Sequence, residues 1–183
     1  MSDDKPRVSI GLPVFNGENY LAEALDSILA QTYTDFELII SDNASTDRTP
    51  EICGVYAARD RRIRYYRNER NMGAAWNYNR VFELSTGEYF KWAAHDDICA
   101  PELLQRCVEV LDREPDVILC YARSTIIDEY KNLIEHHFDR LNLRSPKPHE
   151  RYRDSFRGSA FCHPVFGVMR ASVLKKTGLI GHY

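Results

Sequence analysis

No apolar run in this 183-residue chain approaches the ~20 residues that a membrane-spanning helix needs. The first seven residues, Met1 to Arg7, are polar and hold no hydrophobic signal segment. The five cysteines (Cys53, Cys99, Cys107, Cys120 and Cys162) form no C-x-x-C pair and are odd in number. They read as reduced, packed thiols in a cytoplasmic setting. The six histidines show no zinc spacing, and the adjacent His136-His137 reads as a surface pair. Positive charge is not in excess: 24 Lys and Arg against 27 Asp and Glu leave a net charge of -3, which argues against a nucleic-acid partner. No G-x-G-x-x-G follows the first apolar run, and no G-x-x-x-x-G-K-S/T occurs anywhere. Dinucleotide dehydrogenases and P-loop enzymes are therefore disfavoured. There is no internal repeat and no low-complexity segment.

What is present is ordinary for a globular chain: 44% hydrophobic and 28% charged residues, at a length that predicts one domain with a real core. Val8 to Leu12 reads as a strand stopped by Pro13, and residues 15–19 as a loop. Leu21, Ala24, Leu25, Ile28 and Leu29 recur at helical spacing. Phe36 to Ile40 is the second strand, ending at Ser41-Asp42. Thr49 as N-cap and Pro50 open a helix to about Arg59, with Ile52, Val55 and Tyr56 inward. Ile63 to Tyr66 is a third strand. A helix with Ala74, Ala75, Tyr78, Val81 and Phe82 on one face follows, stopped by Gly87. Tyr89 to Ala94 is a buried strand, Pro101 to Arg113 a helix, and Val117 to Ala122 another buried strand. The order β-α-β-α-β-α-β-α-β predicts a mostly parallel, helix-covered sheet over residues 1–122. Residues 123–183 depart from it. Thr125 to Asp128 reads as a strand, Arg140 to Arg157 as a basic loop, and Ala171 to Thr177 as a short helix closed by Gly178.

Three polar clusters fall at predicted strand ends: Pro13 to Glu18, Asp42 to Asp47, and His95 to Asp97. In a parallel sheet they share one edge, where ligands of open α/β sheets bind. Asp96-Asp97 is the sharpest feature. Two adjacent carboxylates repel unless a cation lies between them, which suggests a divalent metal holding a phosphorylated ligand. By itself the pair reads first as a turn that caps the next helix.

Four motifs in this order carry a family resemblance over roughly residues 7 to 113. The first is Val8-Ser9-Ile10-Gly11-Leu12-Pro13-Val14-Phe15-Asn16-Gly17-Glu18. The second is Asp42-Asn43-Ala44-Ser45-Thr46-Asp47-Arg48-Thr49. The third is Asn71-Met72-Gly73-Ala74-Ala75-Trp76-Asn77. The fourth is Asp96-Asp97 followed by Pro101-Glu102-Leu103-Leu104. Together they resemble the family 2 inverting glycosyltransferases of GT-A fold. The resemblance implies an α/β nucleotide-sugar-binding domain that transfers a sugar from a nucleotide-diphospho-sugar, a UDP-sugar first, to an acceptor hydroxyl.

Carried over to these positions, the family implies that Pro13, Phe15 and Glu18 border the nucleotide. Asp42 accepts a hydrogen bond from the base, and Asn43 lines the same pocket. Asn71, Gly73 and Asn77 frame the donor. Asp96 and Asp97 meet the ribose and a Mg²⁺ or Mn²⁺ ion on the diphosphate. Asp47 and Thr49 read as structural, and the basic cluster Arg59 to Arg70 as a solvated face. The family's general base is an Asp or Glu beyond a segment like Phe166 to Leu174. Here it is expected past Tyr183, since Asp139, Glu150 and Asp154 do not match its motif. A second departure is Ala94, which stands where the common D-x-D-D form has its first Asp.

From another class, a non-catalytic nucleotide-sugar-binding or scaffold domain fits the missing base and Ala94. A nucleotidyltransferase fits less well, because Pro13 to Glu18 is not a glycine-rich basic loop. The acceptor is expected to be a saccharide, a lipid-linked molecule or another hydroxyl compound. Arg140 to Arg157 is the stretch through which peripheral contact with an anionic membrane is expected.

Overall fold

A computed structural model of the chain describes residues 5–137, 141, 143–158 and 163–181. Seven-residue strands β1 (Val8–Val14) and β2 (Phe36–Asp42) are buried at every position. They pair in parallel, and β3 (Ile63–Arg67) and β4 (Tyr89–Trp92) extend the parallel ladder on either side. The six-stranded order is β3-β2-β1-β4-β8-β5, with β5 at Leu119–Cys120 and β8 at Val168–Arg170. The largely parallel α/β sheet expected from the alternation is therefore present. One reversed strand modifies it: β8 pairs antiparallel with both β4 and β5 and separates them.

Strand alternation splits the core into two faces. Leu38 and Ile40 join Val8, Ile10, Leu12 and Val14 against α1 (Leu21–Leu29), α2 (Thr49–Arg59) and α4 (Leu103–Arg113). Ile39, Phe90 and Trp92 face the other way, onto Val81 and Phe82 of α3 (Ala74–Glu83). Phe90 meets both Phe82 and Trp92 edge-on at 5.0 Å, a favoured aromatic geometry.

Several local expectations are corrected. Pro13 does not end β1 but pairs within it, opposite Ser41. Gly11 accepts the Ala93 N–H and Val14 accepts the Asn43 N–H, so odd positions of β1 face β4 and even positions face β2. Pro13 thus points its missing donor toward β4, two residues past the last β1–β4 pair, where no ladder bond is lost. Thr49 begins α2 rather than capping it, and its N–H is taken by Asp47. Thr49 and Cys53 are the buried residues of α2, Ile52 and Tyr56 pack partly buried against the core as expected, and Val55 is exposed. Gly87 lies beyond the end of α3. It is small because β1 passes close: a Cβ there would lie 2.7 Å from the Ser9 nitrogen. Pro101 and Glu102 form a turn before α4.

The segment Val117 to Ala122 is a two-residue, half-buried strand, because β8 takes the position beside β4. Arg59 to Arg70 is not only a solvated face. Arg62 stacks on Phe36 at 4.4 Å, and Arg64 pairs with the buried Glu37 at 2.7 Å.

Past β5 the chain builds more structure than its pattern announced. β6 (Ser124–Ile127) and β7 (Leu133–His137) form a separate antiparallel hairpin. Residues expected as a basic loop contain α5 (Pro148–Gly158). A 3-10 turn (His163–Phe166) leads into β8, and α6 spans only Ala171–Leu174. Cys53, Cys99, Cys107 and Cys120 are free thiols. Met1 to Asp4, Asp139, Arg140, Cys162 and Tyr183 lie outside the described residues. No described helix is long and apolar enough to cross a membrane.

The amino-terminal end of the sheet is held by Glu37, which is 6% exposed. It accepts from Ser9 Oγ (2.7 Å), the Thr86 N–H and hydroxyl (2.9 and 2.7 Å) and Arg64 (2.7 Å). Burial opposes its ionisation, but these donors outweigh burial and lower its pKa. A lowered folded-state pKa stabilises the fold above the unfolded value of about 4.3, and the gain is lost as pH falls through the folded value. Glu37→Gln turns an amide N–H₂ toward donors. It is expected to lower stability by about 1–2 kcal/mol at neutral pH. The deficit should shrink below about pH 4, as followed by urea unfolding across pH.

Candidate active site

The loops after β1 and β2 are joined at the carboxyl edge of the sheet by a reciprocal set of hydrogen bonds. Asn16 N–H donates to Ser45 Oγ (2.9 Å), and Thr46 N–H donates back to Asn16 Oδ1 (2.9 Å). Gly17 N–H donates to Thr49 Oγ1 (2.8 Å). Glu18 N–H donates to Asp47 Oδ2, and Arg48 N–H donates to Glu18 Oε2, both at 3.0 Å. Asp47 and Thr49 take the structural roles expected of them, and Glu18 is engaged in the same zipper. Burial opposes the charge on Asp47, but bonds from Thr49 and from the Glu18 backbone lower its pKa. Phe15 projects from this rigid loop with 43% of its surface exposed, while Pro13 is buried beneath it.

Asp42 ends β2 fully buried. Its Oδ1 accepts the Ser45 N–H (2.8 Å), and its Oδ2 meets Tyr65 Oη (3.1 Å) and Arg67 Nε (3.4 Å). Burial, then the Asp42 charge, raises the Tyr65 pKa, so the phenol keeps its proton and donates. Tyr65 and Arg67 were invisible as site residues in the sequence. Their signal is the β2–β3 register, which sets Tyr65 opposite Ile40 and Arg67 opposite Asp42.

Asn43 clamps the third motif. Its Nδ2 donates to Asn71 Oδ1 (2.8 Å) and to the Gly73 carbonyl (3.2 Å). Its Oδ1 accepts from the Met72 N–H (2.9 Å) and Asn68 Nδ2 (3.1 Å). Asn77 is 2% exposed and exchanges two bonds with Ser41: Oγ to Oδ1 (2.7 Å) and Nδ2 to the carbonyl (2.8 Å). Asn43 and Asn77 are thus spent holding β2, Asn68 and the 71–73 turn together. Gly73, at φ 89° and ψ 158°, occupies a region that side chains avoid.

Asp96 and Asp97 stand past the end of β4, both exposed. Among the described residues neither carboxylate makes a hydrogen bond or an ion pair, unlike Asp42 and Asp47. Although the residue is exposed, protein atoms around the Asp97 carboxyl partly desolvate it; this, then the like charge of Asp96, raises its pKa, while Lys91, His163 and His95 act the other way. His95 leans on the first loop, since a Cβ on Gly17 would come within 2.7 Å of its ring. Tyr78 of α3 feels both carboxylates; burial, then Asp96 and Asp97, raises its pKa. Behind them Lys91 is 4% exposed and donates to the carbonyls of Trp92 (2.8 Å) and Phe166 (2.7 Å). Burial lowers its pKa. Lys91, Tyr78 and His163 are neighbours that sequence reading did not assign to the site, whereas His95 belongs to the cluster already read there.

The donor set suits a hard divalent cation. Two unpaired carboxylates fit an ion that keeps waters and takes its other ligands from phosphate oxygens. No group of three His, Cys, Asp or Glu residues able to hold a metal occurs among the described residues. Asp96 and Asp97 would by themselves be only a partial shell.

Two substitutions test the frame. Gly73→Ala meets no atom within 4 Å, so its cost is purely torsional. Chemical denaturation should show a loss of about 1–3 kcal/mol. Asn43→Leu leaves the Met72 N–H and Asn71 Oδ1 short of partners and should cost about 2–3 kcal/mol by the same measurement.

Comparison with known proteins bears on the family and the fold. The model of glycosyl transferase family 2 matches residues 9–178. An uncharacterized glycosyltransferase of Methanocaldococcus jannaschii is 33% identical over 181 residues, covering 94% of this chain and 59% of that protein. An uncharacterized glycosyltransferase of Rickettsia typhi is 36% identical over 149 residues, covering 80% and 42%. The chain thus spans roughly two fifths to three fifths of the length of these relatives. Two solved structures share the fold. S. aureus TarS in complex with UDP-GlcNAc has a TM-score of 0.72 at 20% identity, covering 92% of this chain and 46% of that one. The mannosyltransferase PcManGT from Pyrobaculum calidifontis, in complex with GDP-Man and Mn²⁺, has a TM-score of 0.67 at 21% identity, covering 97% and 48%. With its fold of GT-A type and its polar edge loops in the family's order, the chain belongs to glycosyl transferase family 2.

Proposed function

We propose that this chain is the donor-binding part of an inverting glycosyltransferase that moves a sugar from a UDP-sugar to an acceptor hydroxyl, with Mg²⁺ or Mn²⁺ bound at Asp96 and Asp97. The acceptor class is a saccharide or a lipid-linked molecule, as in polysaccharide or glycoconjugate assembly. The observation that carries the reading is the Asp96-Asp97 pair, whose carboxylates make no hydrogen bond or ion pair among the described residues, on the same sheet edge as the Phe15 loop, Asp42 and Asn71. UDP in one fold relative and Mn²⁺ in another support the choice of ligands.

In this reading residues 1–122 bind the donor, and residues 123–183 belong to the acceptor side. Phe15, exposed on a zippered loop beside Pro13 and Glu18, packs against the base at little entropic cost. Asp42 reads the base by exchanging its 3.4 Å contact with the half-exposed Arg67, the longest of its three. Asn43, Asn71, Gly73 and Asn77 act as the frame that keeps the nucleotide cleft open at a fixed width. Asp96 meets the ribose and shares the cation with Asp97. The cation, when bound, neutralises charge that grows on the departing diphosphate. The general base is not assigned to a residue.

The test is calorimetric titration with UDP and Mn²⁺, with and without chelator. Binding is expected only with metal. Asp97→Ala should weaken it by roughly 2 kcal/mol or more, about thirtyfold, without loss of fold. Metal-independent binding, or an unchanged Asp97→Ala variant, removes the metal site and leaves the turn-and-cap reading. Tight binding with neither transfer nor donor hydrolysis selects the non-catalytic alternative.

A further inference from the structure

Helix α5 is amphipathic the wrong way round for a helix packed on a globular core. Its exposed face carries His149, Tyr152, Arg153, Phe156 and Arg157, at the i, i+3, i+4 spacing of one helical side. Tyr152 and Phe156 are 68% and 72% exposed, and their rings pack on each other at 4.9 Å. Glu150, Arg151, Asp154 and Ser155 lie on the partly shielded side. That side is occupied by bonds within the chain. Glu150 accepts from Ser145 (2.5 Å) and Lys147 (3.1 Å), and Arg151 donates to the Ser145 carbonyl (2.6 Å). A core-facing helix turns its apolar stripe inward, whereas this one presents aromatic rings to the solvent.

Charge selects the occupant. Residues 144–157 hold five Lys and Arg against two Asp and Glu, a local net of +3 in a chain whose net charge is -3. One of the two acids, Glu150, is held by Ser145 and Lys147, and the other, Asp154, pairs with Arg153 at 2.9 Å. Arg157, beside Phe156, makes no ion pair among the described residues. Rings flanked by basic residues match the interface of a membrane with anionic headgroups, where rings enter the acyl boundary and arginines meet phosphate.

We propose that the outward face of α5 docks the protein on an anionic lipid surface, with Tyr152 and Phe156 inserted and Arg153 and Arg157 on the headgroups. The proposal is independent of the donor site. It replaces the expected basic loop with a defined helix whose rings and charges share one side.

The experiment is co-sedimentation of the full chain with phosphatidylcholine vesicles, with and without phosphatidylglycerol, at low and high salt. Pelleting is expected only with the anionic lipid, and high salt should weaken it. Arg153→Glu with Arg157→Glu should reduce vesicle affinity at least about twentyfold, at about fivefold per basic residue lost. Tyr152→Ala with Phe156→Ala should also release the protein, while circular dichroism and UDP binding stay unchanged in both variants. Should either double variant fail to fold, Phe156→Trp gives a second reading: its fluorescence should be quenched by brominated lipid in anionic vesicles only. Absence of pelleting, pelleting that both folded variants retain, or absence of quenching overturns the proposal. So does a dimer that both variants dissolve, without vesicle binding, since the face would then be a contact between copies.

Discussion

The double-sided parallel pairing of β1 is the constraint on which the rest depends. β1 lies between β2 and β4, buried along its whole length, and its neighbours run the same way. Three chain segments are therefore forced to turn at the same edge. The β1–β4 pairing ends with Trp92 opposite Gly11, while β1 continues to Val14. The unequal lengths open a step at that edge, and Pro13 tolerates the step because its missing N–H has no strand to face. The polar residues of the site flank this step because the backbone leaves them no other place.

Two kinds of polar group share the edge, and they differ in how their hydrogen bonds are satisfied. Asp42, Asn43, Asp47, Asn77 and Glu18 are tied to their own chain, and the loops they hold are rigid as a result. Asp96 and Asp97 have no such partners. Their negative charge is left exposed next to a rigid polar frame. Lys91 sits behind the pair as a buried ammonium fastened to two carbonyls. It ties the end of β4 to the turn before β8, joining the parallel part of the sheet to the segment that follows it.

Much of this was legible in the chain itself. The periodicity of residues 8–113 marks the strands and helices of the parallel half, since buried strands and amphipathic helices leave direct patterns. The acidic pair was visible because an apolar run stops abruptly at it. Beyond residue 113 the signals weaken. β5 is two residues long, β8 is three, and α5 turns its aromatic side outward, so no core-facing stripe announces it. The site roles show the same limit. Asn43 and Asn77 resemble ligand residues in sequence, yet their amides are consumed by Asn68, Asn71 and Ser41.

The sequence by itself determined the family, the α/β alternation and the residues that reach the carboxyl edge, because each is written in local order and spacing. Only the tertiary structure decided which carboxylates are free. Asp42 and Asp97 look alike in the chain, each at the end of an apolar run. Register places Tyr65 and Arg67 against the first, whereas the second has no hydrogen-bond or ion-pair partner among the described residues. That difference arises from strands brought together across the sheet, and it leaves the Asp96-Asp97 carboxylates, at the turn after β4, open to solvent.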